Sequence, residues 1–372
     1  MNEFDWLKNL KKNLPNFLND LQIEDFNFKF TNEIISKNFV NLKLGPSCFA
    51  LKIYYMIGMW DEVEVEKKLR WINFINSFQT NIKSFPVNSF VDENYLISYK
   101  KFSTINFLKT MTKKIMNVLF KKKYISNHEK LSNNIKAESK QAISTLYQVS
   151  YTNFKNYEFE FSTSDELKNY IEGLNWNKPW NAGAQFAGIC VFLSTQKENS
   201  NSSQQIKILK NFIESINDAS TGAYFTGELP SKKELINGTM KVLTGLEWLG
   251  LEPMYPKKLI DTCLKIDPYD DGCDLVDLVY VIYTCSKLID YRNEDIKIYL
   301  LKILKKIEKH YFHNIGGFSY FIEKSQTHYY GVKVTKGNNV PDIHGTVLLV
   351  WAIAMVSQIL DLPTSDWKVL KA

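Results

Sequence analysis

The sequence predicts an all-α protein whose consecutive helical hairpins form an α/α toroid, a barrel with an inner and an outer ring of helices. Apolar residues recur with helical spacing, and few segments show the alternation of a half-buried strand. Gly45-Pro46 opens the first predicted hairpin, Ser47–Met59 with Glu64–Phe78, and Asp342–Leu360 begins the last. The hairpins between them are Glu138–Val149 with Asp165–Leu174, Ala182–Leu193 with Gln204–Ile216, Leu235–Leu249 with Pro256–Leu264, and Cys273–Ile289 with Glu294–Phe312.

Helix polarity assigns the two rings. In the second half of the chain, the first helix of each pair is apolar nearly all round, whereas the second carries Lys and Glu on one side. The links 221–225 and 315–318 both place glycine before an aromatic residue, as expected where an outer helix stops. We therefore expect an N-terminal helical segment at 1–44 and a toroid at 45–372, with a basic insertion near 95–130.

Composition limits the partners. A chain of 372 residues with 45% apolar content can bury a large core. The formal net charge of +6 is spread along the sequence, which argues against nucleic acid as a partner. No apolar run approaches the roughly 20 residues of a membrane-spanning helix, so we expect a cytoplasmic protein. The five cysteines are widely spaced, which indicates reduced thiols.

The basic segment Lys109–Lys123 has two interpretations. Its lysines surround apolar residues, as in an amphipathic helix that makes peripheral contact with anionic lipid. A solvated surface insertion has the same composition, and both interpretations stay open.

The starts of the inner helices should converge at one end of a central cavity. Polar residues stand beside glycine at these starts, including Asn181 and Asn237, which are candidate substrate contacts. Trp180, Tyr224 and Phe318 are candidates for stacking on a substrate, although aromatic residues also pack hairpin ends.

Two adjacent inner helices begin with metal-ligand chemistry. Asp271 and Cys273 stand at one start and His344 at the next, and carboxylate, thiolate and imidazole suit tetrahedral zinc with one open position. The alternative is that Asp271 caps its helix, Cys273 is a small buried residue and His344 is a hydrogen-bonded histidine.

A family resemblance supports the zinc interpretation. The order Asp271-x-Cys273, outer helix, Gly316-Gly317-Phe318, Asp342-x-His344-x-Thr346 resembles the zinc-bearing region of protein prenyltransferase β subunits, in the terpenoid cyclase and prenyltransferase superfamily. The motif comparison covers about Lys265–Leu360. The resemblance implies a toroid enzyme in which Asp271, Cys273 and His344 hold catalytic zinc and act on an isoprenoid-like substrate.

The chain also departs from that family. Pro268, Asp274, Asn237 and Gly183 stand near places where the family's diphosphate pocket has basic or aromatic residues, and the predicted cavity mouth is acidic. The superfamily's class II cyclases use a protonated aspartate as general acid, but the acidic run 267–271 has a different spacing.

Two alternative functions remain. His328, Tyr329 and Tyr330 lie in a predicted loop beside the cavity mouth, where His328 and Tyr329 could act as acid and base on a uronate glycan, as in polysaccharide lyases and epimerases. Tyr330 would then contact the sugar. The third possibility is a non-enzymatic binding scaffold.

Overall fold

The computed structural model describes residues 4–33, 39–100, 111–112, 116, 126–196 and 202–372. This part of the chain is mostly helical, which confirms the all-α prediction. A short 3₁₀ helix, Asp5–Asn9, precedes the first α-helix. The α-helices are α1 (Leu10–Leu21), α2 (Leu44–Met56), α3 (Val65–Asn76), α4 (Glu93–Lys100), α5 (Asn127–Gln148), α6 (Ser164–Gly173), α7 (Pro179–Thr195), α8 (Ser202–Ser215), α9 (Lys232–Leu249), α10 (Pro256–Leu264), α11 (Gly272–Ser286), α12 (Asn293–Glu308) and α13 (Ile343–Leu360).

The strands are short and form three separate antiparallel hairpins. They pair β1 (Gln22–Glu24) with β2 (Asn27–Phe28), β3 (Gln79–Thr80) with β4 (Ser89–Phe90), and β5 (His328–Tyr329) with β6 (Val332–Lys333).

Most predicted helices end within a few residues of their observed bounds, and α5 is the largest difference. It begins at Asn127, well before the predicted start at Glu138. Its first half is polar and lacks a clear apolar stripe, so periodicity does not detect it. Ser126 begins the helix, because its hydroxyl accepts a hydrogen bond from the backbone N–H of Glu129 at 3.0 Å.

Six of the longer helices contact one another in sequence order. Helix α2 contacts α5, α5 contacts α7, α7 contacts α9, α9 contacts α11, α11 contacts α13, and α13 returns to contact α2. The amphipathic helices α3, α8, α10 and α12 each pack on at least one of these six. A large buried core runs through all six helices.

Helix α13 is the most apolar of the six. Among the described helices it alone has the length and composition of a membrane span, but 72% of it is buried inside the protein. Helix α13 is therefore buried like the core helix of a globular protein, and the described residues contain no clear membrane-spanning segment.

The N-terminal helix α1 packs on the loop that follows α12. The amide Nδ2 of Asn13 donates a hydrogen bond to the hydroxyl of Tyr311 at 2.9 Å. A Cβ at Gly316 would lie 2.7 Å from the Asn13 carbonyl oxygen, and one at Gly317 would lie 2.8 Å from the Phe17 ring. Glycine is therefore required at this contact by close approach. It does not end the helix as the sequence suggested, because α12 ends at Glu308 with Lys309 as its C-cap.

Helices α7 and α9 approach each other most closely through glycine. A Cβ at Gly183 would lie 2.8 Å from the Gly238 carbonyl oxygen and 3.1 Å from the Cβ of Lys241. Gly188, on the same helix, has nothing nearer than 4.0 Å.

We expect Gly183→Ala to lower the free energy of unfolding by about 1–3 kcal/mol, because the added methyl group overpacks the α7–α9 contact. The matched control Gly188→Ala should be neutral or stabilising by up to about 1 kcal/mol, since alanine favours a helix. Urea denaturation of both variants measures the difference. Equal effects would contradict the close contact.

Candidate functional site

A cavity of about 410 Å³ lies among the six mutually contacting helices, all of which contribute to its wall. Its surface is largely apolar and aromatic. The aromatic lining residues include Phe49, Tyr157, Phe159, Phe161, Tyr170, Trp180, Phe192, Tyr330 and Trp351. Such a cavity, with a few polar groups, is the usual form of a small-molecule site.

Four lysines line this cavity: Lys52 of α2, Lys136 and Lys140 of α5, and Lys241 of α9. Burial lowers the pKa of Lys52 to about 8, although Cys48 and Glu138 partly oppose the shift. Burial and repulsion from Lys241 and Lys52 lower the pKa of Lys140 to about 7. Among the described residues, no carboxylate lies within ion-pair distance of Lys52 or Lys140, whereas Lys241 has one.

Lys241 is paired with a buried acid. Its Nζ lies 4.0 Å from Oδ1 of Asp277, which is fully buried and has no hydrogen-bond partner for that oxygen in the described structure. Burial raises the pKa of Asp277 to about 7, and Lys241 partly offsets the shift. Burial opposes ionisation of Lys241 as well, but Asp277 still raises its pKa above the usual value.

Cys273 links this pair to the cavity wall. Its Sγ lies 3.9 Å from Oδ2 of Asp277, one helical turn away, and the residue lines the cavity. Burial and the nearby Asp277 raise the pKa of the thiol, with Lys241 opposing. Cys273 is therefore a neutral thiol in this arrangement.

His344 also lines the cavity, stacked on Phe49 with ring centroids 4.7 Å apart. Its Nδ1 is hydrogen-bonded to Oε1 of Gln326 at 2.5 Å. Burial and the positive charges of Lys241 and Lys52 lower the pKa of His344 to about 3. The imidazole is thus neutral at physiological pH.

Asp271 has different partners. It is the N-cap of α11, where Oδ1 accepts the backbone N–H of Asp274 at 3.0 Å. Its Oδ2 accepts from Nζ of Lys233 at 2.8 Å, and Lys233 also donates to Asp274 at 2.6 Å. The carboxylate of Asp271 is therefore neutralised by an ammonium group outside the cavity lining.

The three predicted zinc ligands consequently do not share one environment. Cys273 and His344 reach the cavity, while Asp271 is bound to Lys233. In the described ranges, no three His, Cys, Asp or Glu side chains are grouped closely enough to hold a metal ion. This arrangement does not form the predicted three-ligand set, and zinc binding stays a prediction.

The His328-Tyr329-Tyr330 run is also divided. His328 is exposed, with Nδ1 2.9 Å from the hydroxyl of Thr327, and it lies outside the cavity lining. Tyr329 is buried and donates a hydrogen bond from its hydroxyl to Oε1 of Glu138 at 2.5 Å. Tyr330 alone of the three lines the cavity.

The predicted substrate contacts have three kinds of surroundings. Trp180 and Asn181 line the cavity. Asn237 is buried and donates from Nδ2 to Oδ1 of Asp274 at 2.7 Å. Tyr224 and Phe318 are buried among core residues.

Sequence reasoning missed the cavity lysines. A signal for one of them exists: Lys52 is the single charged residue of α2, whose other residues are mostly buried and apolar. A lone lysine on such a helix indicates a cavity with some polar groups, because an isolated buried charge is otherwise costly. The basic segment Lys109–Lys123 lies outside the described residues except for 111, 112 and 116.

Comparison with known proteins adds no family assignment. The chain matches no protein-family model, no curated protein and no solved structure. The likeness to prenyltransferases therefore depends on the chain's own residues.

A pH experiment tests the electrostatics beside the cavity. Burial raises the pKa of Glu138 to about 8, although Tyr329 donates to it. The folded state thus keeps a proton that the unfolded chain releases, so this group's contribution to stability falls as pH rises from about 5 to about 8.

We expect Glu138→Gln to remove this fall, because glutamine does not titrate. Its stability relative to the unsubstituted protein should therefore increase with pH across that window, measured by urea denaturation at several pH values. The exposed Glu66→Gln is the control and should follow the unsubstituted protein. A constant difference for Glu138→Gln would show that the buried carboxyl group is not protonated.

Proposed function

We propose that the protein is an α/α toroid of the terpenoid cyclase and prenyltransferase type, and an enzyme that acts on an isoprenoid-like anion. The order of helix contacts, in which α13 returns to α2, supports a closed inner ring. The observation that carries the functional proposal is the meeting of Lys52, Lys140 and Lys241 in one aromatic cavity.

The lysines and the aromatic wall together suit an amphipathic anion. Ammonium groups donate charge-assisted hydrogen bonds to phosphate or diphosphate oxygens. Aromatic side chains accept an apolar tail, and their faces stabilise a developing carbocation through cation–π attraction. The lysines would therefore neutralise a diphosphate leaving group while the aromatic wall holds the hydrocarbon. The lysines would supply the cationic donors that are missing from the starts of the inner helices.

Other polar groups around the cavity would orient the reacting end. His344 lines the cavity as a neutral imidazole, with its Nδ1 bound to Gln326. Asp277, behind Cys273, retains a proton on part of the molecules near pH 7 and is the candidate acid. No step of this proposal requires a metal ion.

Ligand titration tests the proposal. We expect farnesyl diphosphate to bind more tightly than inorganic pyrophosphate, because the hydrocarbon gains the aromatic surface. Lys241→Met should weaken binding of both about tenfold, the usual cost of losing a charged hydrogen bond. Isothermal calorimetry measures both ligands. Lys302→Met is the control, since Lys302 is exposed and paired with Asp267 on the outside of α12.

Equal affinities of the Lys241→Met variant and the unsubstituted protein would contradict the proposal. Failure of both ligands to bind would also overturn it.

The affinity should also depend on pH. The lysines must be protonated to hold an anion, and the pKa values of Lys140 and Lys52 are about 7 and about 8. We therefore expect pyrophosphate affinity to fall as pH rises from about 6 to about 9, with proton uptake on binding. A profile that is flat over this range would mean that these two lysines do not hold the anion.

Zinc is tested separately by elemental analysis of the purified protein. A stoichiometric amount of zinc that is lost in His344→Ala would support the predicted ligand set. Protein without zinc would remove the metal hypothesis and leave the anion site intact.

A uronate-containing glycan is the second candidate substrate. Trp180, Asn181 and Tyr330 line the same cavity as the lysines, and this combination suits sugar rings that carry carboxylates. Binding of a uronate oligosaccharide in the same calorimetric assay, with no binding of farnesyl diphosphate, would favour it.

A further inference from the structure

Lys140 differs chemically from the other lysines of the cavity. It lies on the face of α5 that also presents Ala137, Gln141 and Ser144 to the cavity. These three neighbours carry no charge, but Lys136, which also lines the cavity, does. Helix α5 is packed between α2 and α7, so the amine of Lys140 opens onto the cavity.

Among the described residues, none accepts a hydrogen bond from the amine of Lys140. In the described structure it takes part in no hydrogen bond or ion pair, whereas Lys136, one turn earlier on the same cavity face, has its Nζ 2.6 Å from Glu160. Lys241 is likewise compensated by Asp277.

The charges around Lys140 disfavour its protonated form. Burial is the largest effect, followed by Lys241 of α9 and Lys52 of α2, and together they lower its pKa to about 7. Cys190 of α7 and Glu247 of α9 oppose the shift only in part. A large share of Lys140 therefore carries a free lone pair at neutral pH, as in enzymes where a neighbouring cation activates a nucleophilic lysine.

We propose that Lys140 is a nucleophile that forms an imine with the aldehyde or ketone group of an anionic ligand in this cavity. The neutral amine adds to the carbonyl carbon, and a proton passes from nitrogen to the carbonyl oxygen. The resulting carbinolamine expels water and leaves a C=N bond to Nζ, so no oxidant or reductant is required. The ammonium groups of Lys52 and Lys241 hold the anionic group of the ligand beside the amine.

The imine would form in the same cavity as the reaction of the proposed function, but its formation does not require an isoprenoid. It depends on the amine of Lys140 being free and accessible. The anion site of the proposed function depends on charged lysines, so the two can fail separately.

Reductive trapping tests the proposal. The protein is incubated with pyridoxal 5′-phosphate, an aldehyde with a phosphate group, then reduced with sodium borohydride and mapped by peptide mass spectrometry. We expect Lys140 to be labelled on the order of tenfold faster than an exposed lysine such as Lys297, because its larger free-amine fraction outweighs its lower basicity. The rate at Lys140 should rise with pH through an inflection near 7.

Matched variants test whether the amine of Lys140 forms the adduct. Lys140→Arg keeps the positive charge but cannot form the imine, and it should lose the fast adduct while its melting curve shows that it is folded. Lys140→Met serves the same purpose if arginine disturbs the packing. Lys136→Met should keep the fast adduct on Lys140. Labelling of Lys140 that is no faster than labelling of Lys297 would overturn the proposal.

Pyridoxal without the phosphate group separates the two hypotheses. If it labels Lys140 as fast as pyridoxal 5′-phosphate does, imine formation stands, but the anionic ligand and the anion site both fail. If pyrophosphate binds but neither aldehyde labels Lys140 rapidly, the imine inference alone fails.

Discussion

Lys52 of α2, Lys140 of α5 and Lys241 of α9 line the same cavity, where their ammonium groups repel one another in surroundings of low polarity. The structure compensates them unequally. In the described structure Lys241 lies 4.0 Å from Asp277, whereas Lys52 and Lys140 are partly stabilised by the more distant carboxylates of Glu138 and Glu247. Because of this unequal compensation, the three amines have different pKa values. Anion binding and amine reactivity both depend on that difference.

The same low polarity controls the protonation of the acids and the imidazole around the cavity. Asp277 and Glu138 are held towards their protonated forms, and His344 is held in its neutral form. A bound anion would lower the cost of keeping the lysines charged. Ligand binding and protonation are therefore expected to be linked in this protein.

Helical periodicity predicted the elements well where a helix is apolar or has a clear start. Helix α10 has the predicted bounds, Pro256–Leu264, and a proline occupies its first position. The polar first half of α5 was missed, because its stability comes from tertiary contacts and a serine cap that periodicity does not measure. The order in which helices contact one another was predicted only through the hairpin pattern.

The site was predicted in part. Cys273, His344, Trp180, Asn181 and Tyr330 were selected from helix starts and loops, and they do line one cavity. The bond between Asp271 and Lys233 could not be foreseen, since the two residues lie on separate helices and a sequence does not show which side chains meet. The cavity lysines escaped notice because a lysine in a helix usually indicates a solvent-exposed face.

The protonation of the cavity lysines can be measured directly by following lysine ε-carbons in ¹³C NMR during a pH titration, with Lys52→Met and Lys140→Met to assign the signals. The account predicts that two resonances titrate near neutrality, with midpoints of about 7 for Lys140 and about 8 for Lys52. Titration of every lysine near the usual value of about 10.4 would contradict it.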